Sequence, residues 1–328
     1  MGRMPTELSP DHAEPPSVPE AYLPRQAEAP AGDGPRRDEK DEKTGRKRRL
    51  EYPPAPEPLP VPVVDNHTHL DFRDGLVTVT PSQAMDAAEA VGVRGAVQVG
   101  CDVASARFTV ESIEADPRLL GAVAIHPNDA ARHAERGSLD EALAEIELLA
   151  AHPRVRAVGE TGLDYFRTRD EAGHAVQQES FRWHIRLART LGKAVQIHDR
   201  DAHDDVVRIL LEEQGAGGLP EKVVFHCFSG GVDLARICNE HGWHMSFAGP
   251  VTFKANDALR EALLEAREDL LLVETDAPFL TPHPYRGRPN APYLVPYTLR
   301  HMAQVRGSDV DDLARAIDAN TTAVYGEF

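Results

Sequence analysis

The sequence has few cysteines and few aromatic residues, and it lacks a long run of apolar residues. Its three cysteines, Cys101, Cys227 and Cys238, form no closely spaced pair, so a disulfide framework is not expected and a reducing compartment fits better. No stretch approaches the roughly 18 unbroken apolar residues that a membrane-spanning helix needs. The first residues also lack the apolar segment of a secretory signal. We therefore expect a cytoplasmic protein that is not associated with a membrane.

Positive charge is also scarce, because 36 Lys and Arg residues stand against 53 Asp and Glu residues, for a formal net charge of -17. A protein that grips a long duplex through many phosphates depends on a basic surface, which this balance disfavours. Any contact with nucleic acid is therefore expected to be local, at DNA ends or single strands. Nothing in the sequence indicates an obligate protein partner.

Residues 1–60 differ in composition from the rest of the chain. They hold half of its 26 prolines together with runs of charge, and they show no apolar periodicity. Such composition is typical of a disordered segment. The basic cluster at 46–49 could contact nucleic acid, but acidic residues offset it, so a solvated linker is the favoured interpretation.

Residues 61–328 alternate short apolar runs of strand character with longer segments of helical periodicity. The eight apolar runs begin at residues 61, 94, 119, 155, 193, 222, 243 and 270. Apolar strands separated by helices pair in parallel, and eight repeats favour closure into a (β/α)₈ barrel of the TIM type. An open doubly wound sheet is the alternative, but no G-x-G-x-x-G follows the first strand.

Two histidines close the first apolar run. His67 and His69 are two residues apart, so on an extended chain both imidazoles point to the same side, as a metal ion requires. Two histidines that merely pack at a strand end are the structural alternative.

Polar residues follow other apolar runs directly: His126, Glu160, His198, His226 and Asp276. A barrel presents the carboxyl ends of its strands on one face, so these side chains should converge around one pocket. Nitrogen and oxygen donors suit Mg, Mn or Zn, and six donors exceed one tetrahedral shell. We predict two divalent cations with Glu160 as the bridging carboxylate.

Seven segments carry a resemblance to the TatD family, in the order in which that family has its motifs: DNHTHLD, AIHPND, GETGLDYF, QIHDRDA, FHCFSGG, ETDAPFL and RGRPNAP. They span nearly all of residues 61–328. The family is similar in fold to amidohydrolases and contains divalent-metal-dependent deoxyribonucleases, often 3′ to 5′ exonucleases. The resemblance therefore implies a metal-dependent hydrolase barrel acting on DNA.

Carried over motif by motif, the resemblance implies a role for each site residue. One metal would be held by His67, His69 and Asp276, the second by His198 and His226, with Glu160 bridging them. The substrate phosphate would be faced by His126, Arg200, Ser229 and Arg288. The sequence departs from the family pattern at Thr161 and Ala291, neither of which is a proposed ligand.

The hypothesis for catalysis is attack on a phosphodiester by a metal-activated water molecule. Asp276, Glu160 and His126 are the candidate catalytic residues, with Asp276 accepting a proton. Tyr165 and Phe166 could stack a base of single-stranded DNA, although core packing is an equal alternative.

Two other functions remain open at this point. The same chemistry would hydrolyse an ester or amide, such as D-aminoacyl-tRNA. A non-catalytic scaffold is disfavoured because all six proposed ligands are present.

Overall fold

In the computed structural model, residues 17–24, 35–40, 45 and 47–328 are described. These residues contain one parallel sheet of eight strands, hydrogen-bonded in the order of the sequence. The strands are β1 (Val63–Thr68), β2 (Val93–Gly100), β3 (Leu119–Val123), β4 (Val155–Asp164), β5 (Ala194–Arg200), β6 (Val223–Phe225), β7 (His244–Phe247) and β8 (Leu271–Val273). All eight predicted strands are present, which confirms the predicted (β/α)₈ barrel.

The connections between strands are helical. The α-helices of the described residues are α1 (Pro81–Glu89), α2 (Val103–Ala115), α3 (Pro127–Glu135), α4 (Leu139–Ala150), α5 (Glu171–Leu191), α6 (His203–Gly215), α7 (Val232–His241), α8 (Asp257–Glu265), α9 (Val295–Arg306) and α10 (Val310–Tyr325). Helix α3 was not predicted from the sequence. It is short and mostly polar, and its buried residues are Pro127, Asn128 and Ala130.

Local sequence accounts for where several helices begin. Helix α1 follows a capping box in which the Thr80 hydroxyl accepts from the Gln83 amide and the Gln83 side chain accepts in return. Asp102 and Ser105 form the same arrangement at α2. Because α2 begins three residues after β2 ends, Asp102 and Ser105 also decide where this strand's carboxyl end turns away from the barrel.

The strands bury both faces. On β2, Val97 and Val99 belong to the cluster that fills the barrel, whereas Gln98 donates to the Thr109 hydroxyl of α2 and so faces the helices. The alternation follows from the two-residue period of a strand. Tyr325 of α10 belongs to the inner cluster and accepts a hydrogen bond from Gln196, closing the end of the barrel opposite the polar strand ends.

The barrel closes between β1 and β8 through a seam that differs from the other seven strand pairs. The described residues show no regular ladder there, only an isolated parallel bridge between Thr68 and Ala277. Two backbone bonds cross the seam, from Asp276 N to His67 O at 2.9 Å and from His69 N to Ala277 O at 2.7 Å. Asn66 adds a side-chain bond to Val273 O at 2.9 Å.

The predicted disorder of residues 1–60 does not extend to the described part of that segment. Tyr22 and Tyr52 are buried, with ring centroids 4.5 Å apart, and Tyr22 also packs edge-on against Tyr293. Arg48, from the basic cluster, is buried against Asp74. The proline and charge content of the segment gave no sign of these buried residues. A few aromatic contacts are enough to hold a segment onto an existing barrel.

The prediction of disorder for residues 1–16, 25–34, 41–44 and 46 lies outside the described residues. Within the described part of the chain, no helix combines the length and apolar character needed to cross a membrane.

His184 of α5 supports the end of β3 and provides a test of the fold. Its ring is buried, accepts from Ile125 N at Nε2 (3.1 Å) and lies 2.7 Å from Ser180 O through Nδ1. Burial lowers the pKa of His184 to about 4, below the value of about 6.5 for an unfolded histidine. Between these values the unfolded chain binds a proton that the folded chain does not.

We therefore expect His184 to reduce the free energy of unfolding as the pH falls from about 6.5 to about 4, by roughly 3 kcal/mol. Urea unfolding of the wild type and of His184→Gln across this pH range measures the contribution. The free energy of unfolding of the variant should fall less steeply as the pH is lowered. The exposed His283 supplies the control variant His283→Gln. Parallel pH profiles for wild type and His184→Gln would contradict the assignment.

Candidate metal centre

Glu160 of β4 lies at the centre of the predicted cluster. Its carboxylate is buried, with Oε1 2.6 Å from His198 Nδ1 and 2.7 Å from His226 Nε2. Its other oxygen, Oε2, faces the first strand and lies 3.6 Å from His67 Nε2 and 3.7 Å from His69 Nε2. The two oxygens of one carboxylate therefore face two different pairs of histidines.

His67, His69 and Asp276 converge across the barrel seam. The two Nε2 atoms are 3.1 Å apart, and Asp276 Oδ1 lies 3.8 Å from the first and 3.4 Å from the second. Asp276 has a left-handed φ of 54°, an uncommon conformation for aspartate that is found at functional sites. Its backbone bond to His67 O holds this conformation.

Two of the histidines are oriented by bonds on the side away from the cluster. His69 Nδ1 lies 3.1 Å from Val99 O, and His226 Nδ1 lies 3.2 Å from Glu274 Oε1. An imidazole that donates from Nδ1 presents an unprotonated Nε2 to a metal ion. Both Nε2 atoms face the cluster, so these outer bonds would leave Nε2 as the ligand atom for a cation that replaces its proton.

His126 is placed differently. It precedes α3, where its Nδ1 accepts a hydrogen bond from Asn128 N at 3.2 Å, and its Nε2 lies 3.6 Å from Glu160 Oε1. Burial lowers the pKa of His126 to about 3, so the ring is neutral. Because Nδ1 accepts, Nε2 carries the proton and points a hydrogen-bond donor at the cluster.

The electrostatics of the cluster centre on the Glu160 charge. Burial alone would raise the pKa of Glu160, but the imidazoles of His226, His126 and His198 outweigh it and hold the pKa well below its ordinary value. Burial opposes protonation of His69 as well, yet the carboxylates of Asp276 and Glu160 raise the pKa of His69 to about 9. Protonated imidazole thus supplies positive charge at the position where a cation would lie.

Close packing of β4 against β5 brings Glu160 and His198 together. Gly162 has a φ of 138°, and a Cβ at this position would lie 2.0 Å from His198 O. Only glycine tolerates both the conformation and the approach.

The residues present fit divalent cations. Imidazole nitrogens and carboxylate oxygens suit Zn, Mn or Mg, and the ligand atoms of His67, His69 and Asp276 all lie within 4.8 Å of one another. His126, Glu160 and His198 form a second group by the same measure. The acceptor-rich Glu160 and Asp276 carboxylates lie 3.6 Å and 3.8 Å from the His67 Nε2 atom that faces the cluster.

The four residues predicted to face substrate have different surroundings. His126 lies at the cluster. Arg200 is half-buried with its guanidinium carbon 4.0 Å from the ring centroid of Phe166, and Phe166 is 42% exposed. Ser229 is exposed and donates to Asp199 O at 3.0 Å.

Arg288 is not brought to the cluster by its observed contacts. Its Nε donates to Glu51 O at 2.8 Å and its Nη2 to Tyr52 O at 2.6 Å. These bonds join Arg288 to the segment that precedes the barrel, and its contact with a substrate phosphate stays a prediction. Tyr165 stacks on His174 and donates to Asp205, which places it in packing rather than at an open surface.

Three residues at the centre were not among the predicted site residues: Cys101, Asp164 and Glu274. The Cys101 thiol lies 3.4 Å from Glu160 Oε2, and the Asp164 carboxylate lies 3.4 Å from His198 Nε2. Each follows or ends a strand, so the signal that found the other residues was present. Which polar residue at a strand end contacts a ligand depends on contacts between strands, and the sequence alone does not give these.

The fold and the centre together define a class of protein. An eight-stranded parallel barrel with imidazoles and carboxylates at its strand ends is the architecture of metal-dependent hydrolases. The family model described as TatD related DNase matches residues 64–326. The chain therefore belongs to the TatD family, as the sequence motifs predicted.

Relatives of the chain agree with this class. A metal-dependent hydrolase named TatD from Mycobacterium tuberculosis is 42% identical over 267 residues, covering 80% of this chain and 98% of that protein. A protein of Citrobacter rodentium named 3′-5′ ssDNA/RNA exonuclease TatD is 33% identical over 244 residues, covering 73% and 89%. The chain is a metal-dependent hydrolase.

A solved structure supports the fold. The TatD homologue YjjV from Escherichia coli superimposes with a TM-score of 0.72 at 24% identity, covering 81% of this chain and 98% of that one.

Glu274 gives a test of the centre. Glu274→Gln keeps the shape of the side chain but weakens the acceptor that orients His226, so we expect the affinity for Mn²⁺ or Zn²⁺ to fall by roughly 10- to 100-fold. Calorimetric titration of EDTA-treated protein measures the affinity. Glu265→Gln, at the carboxyl end of α8, is the matched control. An unchanged affinity in a folded Glu274→Gln protein would show that this bond does not serve a metal ligand.

Proposed function

We propose that this protein is a deoxyribonuclease that removes nucleotides from DNA ends in the 3′ to 5′ direction with two divalent cations. The observation that carries the proposal is the position of Glu160, whose two oxygens face separate pairs of histidines. A carboxylate placed in this way suits a bridge between two cations. Paired cations are a recurrent solution for displacement at phosphorus, where both the attacking and the leaving oxygen need stabilisation.

In this proposal His67, His69 and Asp276 hold one cation, and His198 and His226 hold the other. Glu160 contributes to both. When bound, the cations supply the charge that activates a water molecule and stabilises the phosphoryl oxygens. They also provide positive charge for binding DNA, which a protein of net charge -17 otherwise lacks.

Asp276 is the proposed proton acceptor. Glu160 is held by two short bonds to imidazoles and its side chain is 6% exposed, whereas the side chain of Asp276 is 13% exposed. A water molecule that enters from solvent reaches the more open carboxylate. Its distance of 3.4 Å from His69 Nε2 places it beside the same cation position, as general-base transfer requires.

The substrate phosphate is proposed to meet two donors. His126 offers a neutral Nε2–H, which donates a hydrogen bond without adding charge. Arg200 offers a planar guanidinium that matches phosphate, and its stacking on Phe166 fixes the plane of the group. The name of the Citrobacter rodentium relative, an exonuclease of single-stranded DNA and RNA, supports this class of substrate.

The test of the proposal is hydrolysis of single-stranded DNA labelled at its 3′ or 5′ end, with Mg²⁺ or Mn²⁺ and with EDTA. We expect metal-dependent release of the 3′ label as mononucleotide, lost in EDTA. Glu160→Gln and Asp276→Asn should lower the rate by roughly 100-fold or more, since even outer residues of metal sites cost 10- to 100-fold. Asp318→Asn, at the far end of the barrel beside Arg94, is the matched control.

No cleavage by folded, metal-loaded protein would exclude the deoxyribonuclease. If the protein instead cleaves RNA or a D-aminoacyl-tRNA ester, and the same variants lose that activity, the proposed catalytic centre stands and the proposed substrate is wrong.

Phe166 provides a separate prediction about substrate binding. Loss of one base-stacking aromatic costs about 1–3 kcal/mol, so Phe166→Ala should raise KM for single-stranded DNA by roughly 5- to 100-fold. Hydrolysis of bis(p-nitrophenyl) phosphate, which lacks the further nucleotides of DNA, should be affected much less. Phe166→Trp keeps an aromatic face and should bind DNA like the wild type. An equal loss on both substrates would show that Phe166 supports the fold of the centre.

A further inference from the structure

Residues 35–40, 45 and 47–52, which together we call the strap, lie across the carboxyl face of the barrel where β1 meets β8. Their backbone pairs with the loop after β1, through Arg37 N to Arg73 O at 2.9 Å and Arg73 N to Pro35 O at 2.8 Å. The strap lies outside residues 64–326, the stretch that the family model matches. The family model therefore does not describe this segment.

Arg48 is the most buried link in the strap. Its guanidinium makes two bonds to Asp74, Nη1 to Oδ1 at 3.1 Å and Nη2 to Oδ2 at 2.6 Å, and the two side chains are 2% and 1% exposed. The same group donates to Gly287 O at 3.2 Å and to Asp38 O at 2.8 Å. One side chain thus joins the strap to the loop after β1 and to the loop after β8. A buried bidentate pair of this kind is costly to break from one side.

Arg37 makes the link nearest to the metal centre. Its Nη1 donates to Pro278 O at 2.6 Å, two residues after Asp276, and lies 3.4 Å from Asp74 Oδ2. Its guanidinium carbon is 5.2 Å from the ring centroid of Phe279, which itself packs edge-on against His69 at 6.1 Å. The Arg37 side chain therefore touches both loops that continue from metal ligands.

The barrel itself provides little to hold these two loops together. The seam between β1 and β8 has an isolated bridge and two backbone bonds where the other strand pairs have ladders. Side chains of β1 add bonds below the ligands, since Asn66 donates to Val273 O and Asp65 accepts from Thr275 N and Oγ1. The seam's ligands, His67 and His69 on one side and Asp276 on the other, must keep a fixed separation to bind one cation. A metal site built across a strand pair without a regular ladder gains from an additional constraint, because ligand displacement lowers affinity.

We propose that the strap closes this seam, with Arg37 and Arg48 as positioning residues that set the affinity of the cation position formed by His67, His69 and Asp276. The inference rests on the two-cation centre proposed above, but not on the identity of the substrate. The position formed by His198 and His226 lies on β5 and β6, which pair through a regular ladder, and so does not depend on the strap.

Two variants of the full chain test the inference. Arg37→Gln removes a partly exposed guanidinium. The double variant Arg48→Met with Asp74→Leu replaces the buried pair by apolar groups of similar volume, so neither buried charge is left alone. Arg37, which is partly exposed, loses its contact with Asp74. Arg94→Gln, which removes a guanidinium paired with Asp318 at the opposite end of the barrel, is the matched control.

The first measurement is calorimetric titration of EDTA-treated protein with Mn²⁺. We expect one of two binding steps to weaken by about 10-fold in Arg37→Gln and in the double variant, with the other step unchanged. The second is hydrogen exchange without metal, in which the amides of His69 and Asp276 should exchange faster because their bonds cross the seam.

Unchanged Mn²⁺ affinity in both folded variants would overturn the proposal, and so would faster exchange of the two amides without any loss of affinity. Equal weakening of both binding steps would also overturn it, because the strap would then support the fold in general. If the wild type binds two Mn²⁺ and the variants show this pattern, but the wild type cleaves no DNA, the strap proposal stands and the proposed deoxyribonuclease activity is excluded.

Discussion

The buried charge of Glu160 is the constraint on which the centre depends. A carboxylate inside a barrel is strongly unfavourable unless positive charge and hydrogen bonds compensate it. Here His198 and His226 bond to one oxygen, and His67 and His69 face the other. Each of these imidazoles in turn has to be placed by its own strand. The convergence of polar residues at the strand ends follows from that requirement.

The place where the barrel closes is also where one half of the centre lies. Closing an eight-stranded sheet requires the first and last strands to meet, and here they do so through a bridge and the bonds between His67, His69 and the residues around Asp276. Metal ligation across this seam would connect the two strands, so binding and barrel closure support each other. The strap adds contacts on the same side of the barrel.

The architecture could be predicted from the sequence because its signals are local. Each strand is an apolar run, and the ladder order follows from alternation with helices, so the barrel required no knowledge of distant contacts. Helix α3 was missed because its burial depends on Asn128 reaching Asp164, a contact between elements far apart in sequence. The contacts of Arg48 with Asp74 and of Arg288 with the backbone of Glu51 and Tyr52 were unpredicted for the same reason. A charged side chain in a polar segment gives no local sign that a buried partner exists.

The sequence by itself determined the residue types at the strand ends, the period that turns His67 and His69 to one side, and the family motifs that predict a metal-dependent hydrolase. Tertiary structure alone decided how those residues are arranged: which oxygen of Glu160 faces which imidazoles, which ring nitrogen of His126 carries a proton, and which arginines serve the strap. The physical reason is that residue type and period are properties of neighbouring residues along the chain. Burial, tautomer and charge compensation arise only when strands and loops distant in sequence are brought within a few ångströms.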